Sequence, residues 1–176
     1  MALAKRVAGR IGQGLRALLA FAIPLDKGPA QEVLSPELFR LFARMRRSEQ
    51  HHALRVMRRL IAAGHTQPDL LIAALLHDCG KARHPLGLAG RTLVVLTRAM
   101  LPRRAARWGG GEPRGLRRPF VIAYQHPAWS AEDMAAAGAS PLAAALARRH
   151  QEPYIKTPRN EEERLLALLQ WADNLH

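Results

Sequence analysis

The sequence predicts an all-α protein: a single helical bundle with a basic N-terminal helical extension. Alanine and leucine dominate the composition, while β-branched residues are sparse and scattered, which favours helices over sheet. Apolar residues recur at helical spacing along most of the chain. The chain has 176 residues and is 48% hydrophobic, so we expect one domain with a substantial core and not a disordered chain.

The net charge indicates the class of binding partner, and the cysteine content indicates the cellular compartment. The formal net charge is +13, and almost all of the excess is arginine. Such a charge favours anionic partners, namely nucleotides, nucleic acid or an acidic membrane surface, without choosing among them. The single cysteine, Cys79, excludes an internal disulfide framework and fits a reducing cytoplasm. We therefore expect a cytoplasmic protein with a possible peripheral contact to an acidic membrane.

Residues 1–30 are predicted to form an extension separate from the domain at 31–176. The extension alternates apolar residues with basic ones, namely Lys5, Arg6, Arg10 and Arg16. Its longest apolar run is far too short to span a bilayer. Three interpretations stay open: an amphipathic helix lying on an acidic membrane, a helix packed on the domain, or a frayed terminus.

Start and stop signals divide the first half of the domain into helices. Ser35 followed by proline is typical of a helix start, and a second helix begins near Ser48 or continues the first until Gly64. Residues 66–69 resemble a capping box for a third helix. That helix is apolar and carries His77 and Asp78 at its end, and we expect Gly80 to stop it.

In the second half of the domain, the sequence predicts further helices and one long loop. A helix is predicted over 88–101. Residues 102–118 hold three consecutive glycines and six arginines, which indicates a long flexible basic loop. This loop is either a solvated insertion or a lid that binds anions. A short apolar segment over 119–126 follows.

Three further helices are predicted towards the C-terminus. Ser130 is expected to cap a short helix over 131–137 that Gly138 closes. The pair Ser140-Pro141 begins the next helix. Asn160 and Glu163 form a cap-like pair for the last one.

Histidines and aspartates recur inside or at the ends of these apolar helices. They occupy five places along the chain: His52, His77-Asp78, His126, His150 and Asp173. The gaps of 25, 48, 24 and 23 residues correspond to one or two helices per ligand, so a bundle could bring them to one point. Four imidazoles with two carboxylates suit manganese, iron or zinc. Six ligands exceed the need of one hydrolytic metal and fit two adjacent ions. The alternative for His126 and His150 is a buried imidazole bonded to a carbonyl.

The same residues resemble the HD-domain metal-dependent phosphohydrolase superfamily, whose signature is a His, a His-Asp pair and a distant Asp on an all-α bundle. His52-Ala53-Leu54-Arg55-Val56 is similar to the first motif, for which we choose His52 over its neighbour His51. His77-Asp78-Cys79-Gly80-Lys81 is similar to the central motif, and Ala172-Asp173-Asn174 to the last. The resemblance covers roughly residues 35–176.

The resemblance implies a role for each matched residue. The first metal would be held by four of them: His52, His77, Asp78 and Asp173. His126 and His150 would hold a second metal with Asp78 bridging, and Lys81 would face the substrate phosphate. The chain lacks the paired histidines and the Gly-Tyr-Pro signature of the cyclic-di-GMP branch, having Arg149-His150 and then Pro153-Tyr154, which argues against that substrate.

The expected function is therefore hydrolysis of a phosphate ester or anhydride, by a phosphodiesterase or phosphatase type of enzyme using metal-activated hydroxide. The substrate is expected to be a nucleotide or related phosphorylated small molecule, and the cofactor one or two divalent ions of Mn, Fe, Zn, Mg or Co. The alternative is an HD-fold signalling or scaffold module that binds an acidic membrane or nucleic-acid surface without catalysis. No specific nucleic acid is predicted, and the oligomeric state stays open.

Overall fold

The computed structural model describes residues 24–174, and this part of the chain is all-helical, as the sequence predicts. The extension predicted over residues 1–30 lies mostly outside the described residues. The α-helices are α1 (Gly28–Val33), α2 (Pro36–Arg44), α3 (Arg47–Ala62), α4 (Pro68–Leu76), α5 (Leu88–Met100), α6 (Pro102–Trp108), α7 (Arg118–Ala136), α8 (Pro141–Arg149) and α9 (Glu161–Asn174). Two 3₁₀ turns lie at Cys79–Arg83 and Gly115–Arg117. Within residues 24–174, no helix combines the length and apolarity that crossing a membrane requires.

The main core surrounds α4, which is buried along nearly its whole length. Helices α2, α3, α8 and α9 pack around it and contribute fully buried side chains such as Phe42, Leu60, Leu146 and Leu166. Because the C-terminal end of α4 lies inside this core, the residues that follow it, His77 and Asp78, are also buried. The bundle therefore carries the predicted central motif into its interior.

A second, smaller cluster joins α5 and α6 to α7. Val94 of α5, Ala105 of α6 and Phe120 of α7 are its buried members, with Trp108 and Tyr124 packed against them. The Trp108 and Phe120 rings meet edge to face with their centroids 5.1 Å apart. Helices α5 and α6 thus attach to the bundle mainly through the first half of α7.

Three of the capping signals read from the sequence are confirmed. The Ser35 and Ser140 hydroxyls accept from the backbone N–H groups of Leu38 and Ala143, at 3.3 and 3.0 Å. The Asn160 side chain accepts from the Glu163 N–H at 2.8 Å. These bonds satisfy donors that a helix start leaves without a partner.

The prediction of a capping box over residues 66–69 is wrong. The residue before α4 is Gln67, and its side chain makes no capping hydrogen bond. The Asp69 carboxylate instead accepts from the Ser140 hydroxyl at 2.6 Å. This contact joins the starts of α4 and α8, so the acid acts between helices and not within one.

The prediction of a flexible loop over residues 102–118 is also wrong in part. Residues Pro102–Trp108 form α6, and a 3₁₀ turn covers Gly115–Arg117. Alanine and arginine are strong helix formers, and Ala105 with Trp108 gives the segment one face to bury. That face packs on α7, which holds the segment as a helix.

Helix α7 runs without a break from Arg118 to Ala136, so the predicted division into a short apolar segment and a helix capped by Ser130 is wrong. Pro127 inside it removes a single backbone donor. Buried residues recur on one face on both sides of that proline, including Ile122, Ser130 and Met134. Tertiary packing along this face outweighs the local cost of the proline. Gly138, with φ 85°, follows the helix end as expected.

Candidate metal centre

The predicted ligands come together at one point in the bundle. They are His52 on α3, His77 and Asp78 directly after α4, His126 in the middle of α7, His150 directly after α8 and Asp173 near the end of α9. Five parts of the chain thus each contribute to one cluster. The cluster is buried on the side of α4, α7 and α8 and partly open at His52 and Asp173.

One group of ligand atoms forms around Asp173. Its Oδ1 lies 2.8 Å from the Nε2 of His52 and 3.8 Å from the Nε2 of His77. His52 therefore lies in one group with Asp173 and His77, and its role as a ligand stays a prediction. The three ligand atoms lie close enough together to hold one ion.

The second group forms around Asp78, whose two carboxylate oxygens face different neighbours. Its Oδ1 lies 3.1 Å from the Nε2 of His126 and 3.8 Å from that of His150. Its Oδ2 lies 3.7 Å from the Nε2 of His77 and 2.6 Å from the Nζ of Lys81. His77, Asp78 and His150 also form a set that could hold an ion. One carboxylate thus lies between the two groups.

Backbone carbonyls determine which ring nitrogen of three histidines points into the cluster. The Nδ1 atoms of His77, His126 and His150 lie 3.1, 2.9 and 2.7 Å from the carbonyl oxygens of Ala74, Ile122 and Ala147. A carbonyl only accepts, so each Nδ1 carries the proton. In the neutral ring, each Nε2 then presents a lone pair to the centre, which is the tautomer that metal-binding histidines use.

The Nε2 of His77 provides a test of whether a cation fits. It is buried and has no hydrogen-bond partner within the described residues. A buried lone pair without a partner is costly. It faces both aspartates and lies in both groups of candidate ligands. A divalent cation would satisfy the lone pair and both carboxylates at once, so the donor set fits a metal.

The carboxylates of the cluster are ionised. Burial acts to raise the pKa of Asp78, but the Lys81 ammonium and the imidazoles of His77 and His126 outweigh it and hold the pKa well below its usual value. Burial also acts to raise the pKa of Asp173, but the hydrogen bond from His52 outweighs burial, so the pKa of Asp173 is lowered. Both side chains therefore meet the requirement that a carboxylate ligand be deprotonated.

Two buried histidines of the centre, His126 and His150, are neutral. Burial, followed by the neighbouring His77, lowers the pKa of His150 to about 3. Burial, followed by the nearby Lys81 ammonium, lowers the pKa of His126. Near pH 7 both rings are unprotonated, which is the state that binds a metal.

Gly80 and Ser130 support the centre in a way that the sequence did not indicate. We expected Gly80 to stop α4, but α4 ends at Leu76 and a 3₁₀ turn runs through the glycine. A Cβ atom at Gly80 would lie 2.5 Å from the His126 carbonyl oxygen. The Gly80 N–H donates to the Ser130 hydroxyl at 2.9 Å. This pair holds the His77-Asp78 segment against α7.

Two glutamines near the centre were also missed. Gln151 places its Nε2 3.3 Å from the Nε2 of His126. Gln170 is buried, and its amide donates to the Glu152 carbonyl at 2.9 Å while its Oε1 accepts from the Ile155 N–H at 3.3 Å. The only available signal was that Gln170 lies three residues before Asp173, on the apolar face of the last helix.

His84 and Cys79, which lie near the centre in sequence, have packing roles. The His84 ring packs on Trp129, with the centroids 5.2 Å apart. Cys79 is buried, its thiol lies 3.8 Å from the Ser130 carbonyl oxygen, and burial raises its pKa to about 12. The thiol is therefore protonated, and Cys79 is the small packing residue that we expected.

A helical bundle whose buried core ends in a convergent set of imidazoles and carboxylates defines the class of metal-binding α-helical proteins. Within that class, the family model described as HD domain matches residues 50–176, well over half of the chain, and the protein belongs to the HD-domain family. This finding confirms the resemblance and makes the chain a member of the metal-dependent phosphohydrolase superfamily. The comparisons found no match among curated proteins and none among solved structures. That the six residues bind metal stays a prediction.

Proposed function

We propose that this protein is a metal-dependent hydrolase of phosphate esters or anhydrides, with a nucleotide or related phosphorylated small molecule as its substrate. The observation that carries the proposal is the buried Nε2 of His77, which has no partner within the described residues and faces two ionised aspartates. A scaffold that did not bind metal would gain nothing from leaving this atom unsatisfied.

The arrangement of Asp78 supports two ions over one. Its Oδ1 faces His126 and His150, while its Oδ2 faces His77. A carboxylate with each oxygen turned to a different set of imidazoles is suited to bridge two cations. We therefore assign His52, His77 and Asp173 to one ion, His126 and His150 to the other, and Asp78 to both.

The metal would supply an activated water for attack on phosphorus and would neutralise charge on the phosphoryl oxygens. The protein would fix the orientation of the ligand side chains and keep them unprotonated. The carbonyl partners of His77, His126 and His150 fix their rings. Burial of these rings keeps bulk water from competing for the site.

Lys81 is the residue that we assign to the substrate phosphate. Its Nζ lies 2.6 Å from Asp78 Oδ2, and its side chain is 30% exposed, so the cation sits at the edge of the centre and within reach of an incoming anion. A fixed cation there would stabilise negative charge that develops on the phosphoryl group. The net charge of +13 favours polyanionic substrates over neutral ones.

Purified full-length protein tests the proposal when loaded with Mn²⁺ or Zn²⁺ and assayed on bis(p-nitrophenyl) phosphate, p-nitrophenyl phosphate and nucleoside di- and triphosphates. We expect at least one of these compounds to be hydrolysed and the activity to disappear on chelation. The diester, the monoester and the anhydrides separate phosphodiesterase, phosphatase and pyrophosphohydrolase activity.

Variants connect the activity to the centre. Asp78→Ala is expected to lower metal content and kcat by about a thousandfold, whereas Lys81→Ala is expected to retain metal and lose about a hundredfold in kcat. Asp26→Ala is the control, because within residues 24–174 the Asp26 carboxylate accepts only from the Gly28 N–H at the start of α1. A metal-loaded wild type that is inactive on every substrate, or an Asp78→Ala variant as active as the wild type, would contradict the proposal.

A further inference from the structure

Helix α5 turns an apolar face to solvent. Val94 is buried against α7, and the Arg98 guanidinium lies 4.3 Å from the centroid of the Tyr124 ring, so these residues mark the inner face. At about 100° per residue, Leu93, Leu96 and Met100 lie within about 60° of one another on the opposite face. All three are exposed, Met100 to 76%. Exposed apolar side chains grouped in this way mark an interaction site more often than a bare surface.

Helix α6 follows at once and turns a basic face outward. Ala105 and Trp108 pack inward on the same small cluster of α7 as Val94 does. Arg103 and Arg107 lie on the opposite face of α6, and Arg104 lies at its edge. All three are exposed. Since α5 and α6 both bury their inner faces against α7, their outer faces both point away from it. Together they form what we call the α5–α6 surface: Leu93, Leu96, Met100, Arg103, Arg104 and Arg107.

The charge of this region is almost entirely of one sign. Residues 88–118 contain eight arginines and a single acid, Glu112. Arg91 pairs with Glu49, and Arg114 pairs with Glu112 itself. The three arginines of the α5–α6 surface make no ion pair with another residue of the described range 24–174. Their charge is therefore available to an anionic partner.

We propose that the α5–α6 surface docks on an anionic lipid bilayer. Exposed leucine and methionine beside arginine is the combination that a lipid interface accommodates, since apolar side chains enter the acyl boundary while cations stay at the headgroups. With 13 residues, α5 is too short to span a bilayer, so the contact is peripheral. This inference concerns a different surface from the metal centre and does not depend on the proposed hydrolysis.

Other occupants fit the surface less well. A symmetric dimer through this surface would set the arginines of one copy close to those of the other. Residues 1–23 carry four basic residues and no acid, so they would meet the arginines with the same sign of charge. Nucleic acid would use the arginines, but it offers little to Leu96 and Met100, and the surface lacks the interleaved aromatic residues of a single-strand-binding groove.

The test is cosedimentation of the full-length chain with vesicles of phosphatidylcholine containing phosphatidylglycerol, and with vesicles of phosphatidylcholine alone. We expect binding to the anionic vesicles that weakens as salt is raised, and little binding to the neutral ones. The double variant Leu96→Glu/Met100→Glu and the triple variant Arg103→Ala/Arg104→Ala/Arg107→Ala are each expected to lose at least about tenfold in affinity.

Two matched control variants make the same changes in charge at positions outside the α5–α6 surface. Ile61→Glu/Ala62→Glu alters exposed positions at the end of α3, and Arg44→Ala/Arg58→Ala/Arg148→Ala removes three exposed arginines from α2, α3 and α8. Both controls are expected to stay within about twofold of the wild type. Circular dichroism checks that every variant is folded.

Four outcomes would overturn the inference. The first is no binding to anionic vesicles, and the second is equal binding to neutral ones. The third is an equal loss in the matched controls, which would show that net charge or residues 1–23 hold the chain on the membrane. The fourth is a change from dimer to monomer in Leu96→Glu/Met100→Glu without any lipid binding, which would assign the surface to a second copy of the chain.

Discussion

Gly80 lies where the 3₁₀ turn after the central motif packs closely against α7. A Cβ atom there would be 2.5 Å from the His126 carbonyl oxygen, 2.6 Å from the Ser130 backbone nitrogen and 2.8 Å from the Trp129 Cβ. Two of these neighbours are backbone atoms of a long helix, so they have little freedom to move aside. The glycine therefore sets how near the His77-Asp78 segment can come to His126.

Gly80→Ala is expected to lower the free energy of unfolding by about 3 kcal/mol, since the added methyl group must push the turn away from α7. Urea unfolding followed by circular dichroism measures the change. The matched control is Gly87→Ala, because Gly87 has a φ of −69° and nothing within 4 Å of a Cβ atom, and it should change by less than about 1 kcal/mol. Equal effects of the two substitutions would contradict the close-approach argument.

At the scale of elements, α9 both supplies Asp173 and holds the loop that follows His150. Gln170 is buried on α9, accepts from the Ile155 N–H and donates to the Glu152 carbonyl. These bonds satisfy backbone groups of a loop that has no regular structure between α8 and α9. The position of His150 at the start of this loop therefore depends on a side chain one turn before Asp173.

Gln170→Ala is expected to lower the free energy of unfolding by roughly 2 kcal/mol, because it leaves a buried backbone donor and acceptor without partners. Hydrogen exchange provides the specific readout: the Ile155 amide should exchange about tenfold faster, while amides of α4 change only with global stability. Gln31→Ala, at an exposed position on α1, should stay within about 0.5 kcal/mol of the wild type. Unchanged protection at Ile155 would refute the role of Gln170.

At the scale of the whole molecule, the sequence predicted what depends on local chemistry. The helix starts at Ser35 and Ser140 were predicted because their caps involve only the next few residues. The position of α4 in the centre followed from its continuous apolar run. The His and Asp residues were found because such groups are rare inside apolar helices.

Predictions from the sequence were wrong where a contact with a distant residue outweighs a local signal. Asp69 has a capping position but accepts from Ser140 instead, 71 residues away. Pro127 is a helix breaker by local rules, yet α7 continues through it because both halves bury the same face. The arginine-rich segment at 102–108 gave no sign of order except Ala105 and Trp108, whose packing partners lie on α7. None of these contacts has a signature within its own stretch of chain.

The centre joins α3, α7 and α9 to the residues that follow α4 and α8, so ions bound there should stabilise the fold as a whole. A ligand that binds only the native state at about a hundred times its dissociation constant adds about 2.7 kcal/mol to the free energy of unfolding. Addition of Mn²⁺ to metal-free wild type is therefore expected to raise Tm by several degrees, and chelation should reverse the rise. Differential scanning calorimetry measures both.

The same measurement separates the two groups of ligands when it is combined with metal analysis. We expect the wild type to bind two ions, and His52→Ala and His126→Ala each to bind one and to keep only part of the metal-induced rise in Tm. His65→Ala, which alters a half-buried histidine in the turn before α4, should behave as the wild type does. If both ligand variants lost all metal together, the centre would hold a single ion to which all six residues contribute. If neither variant changed metal content or the rise in Tm, the six residues would not be the ligands, because the stabilisation would then arise elsewhere in the chain.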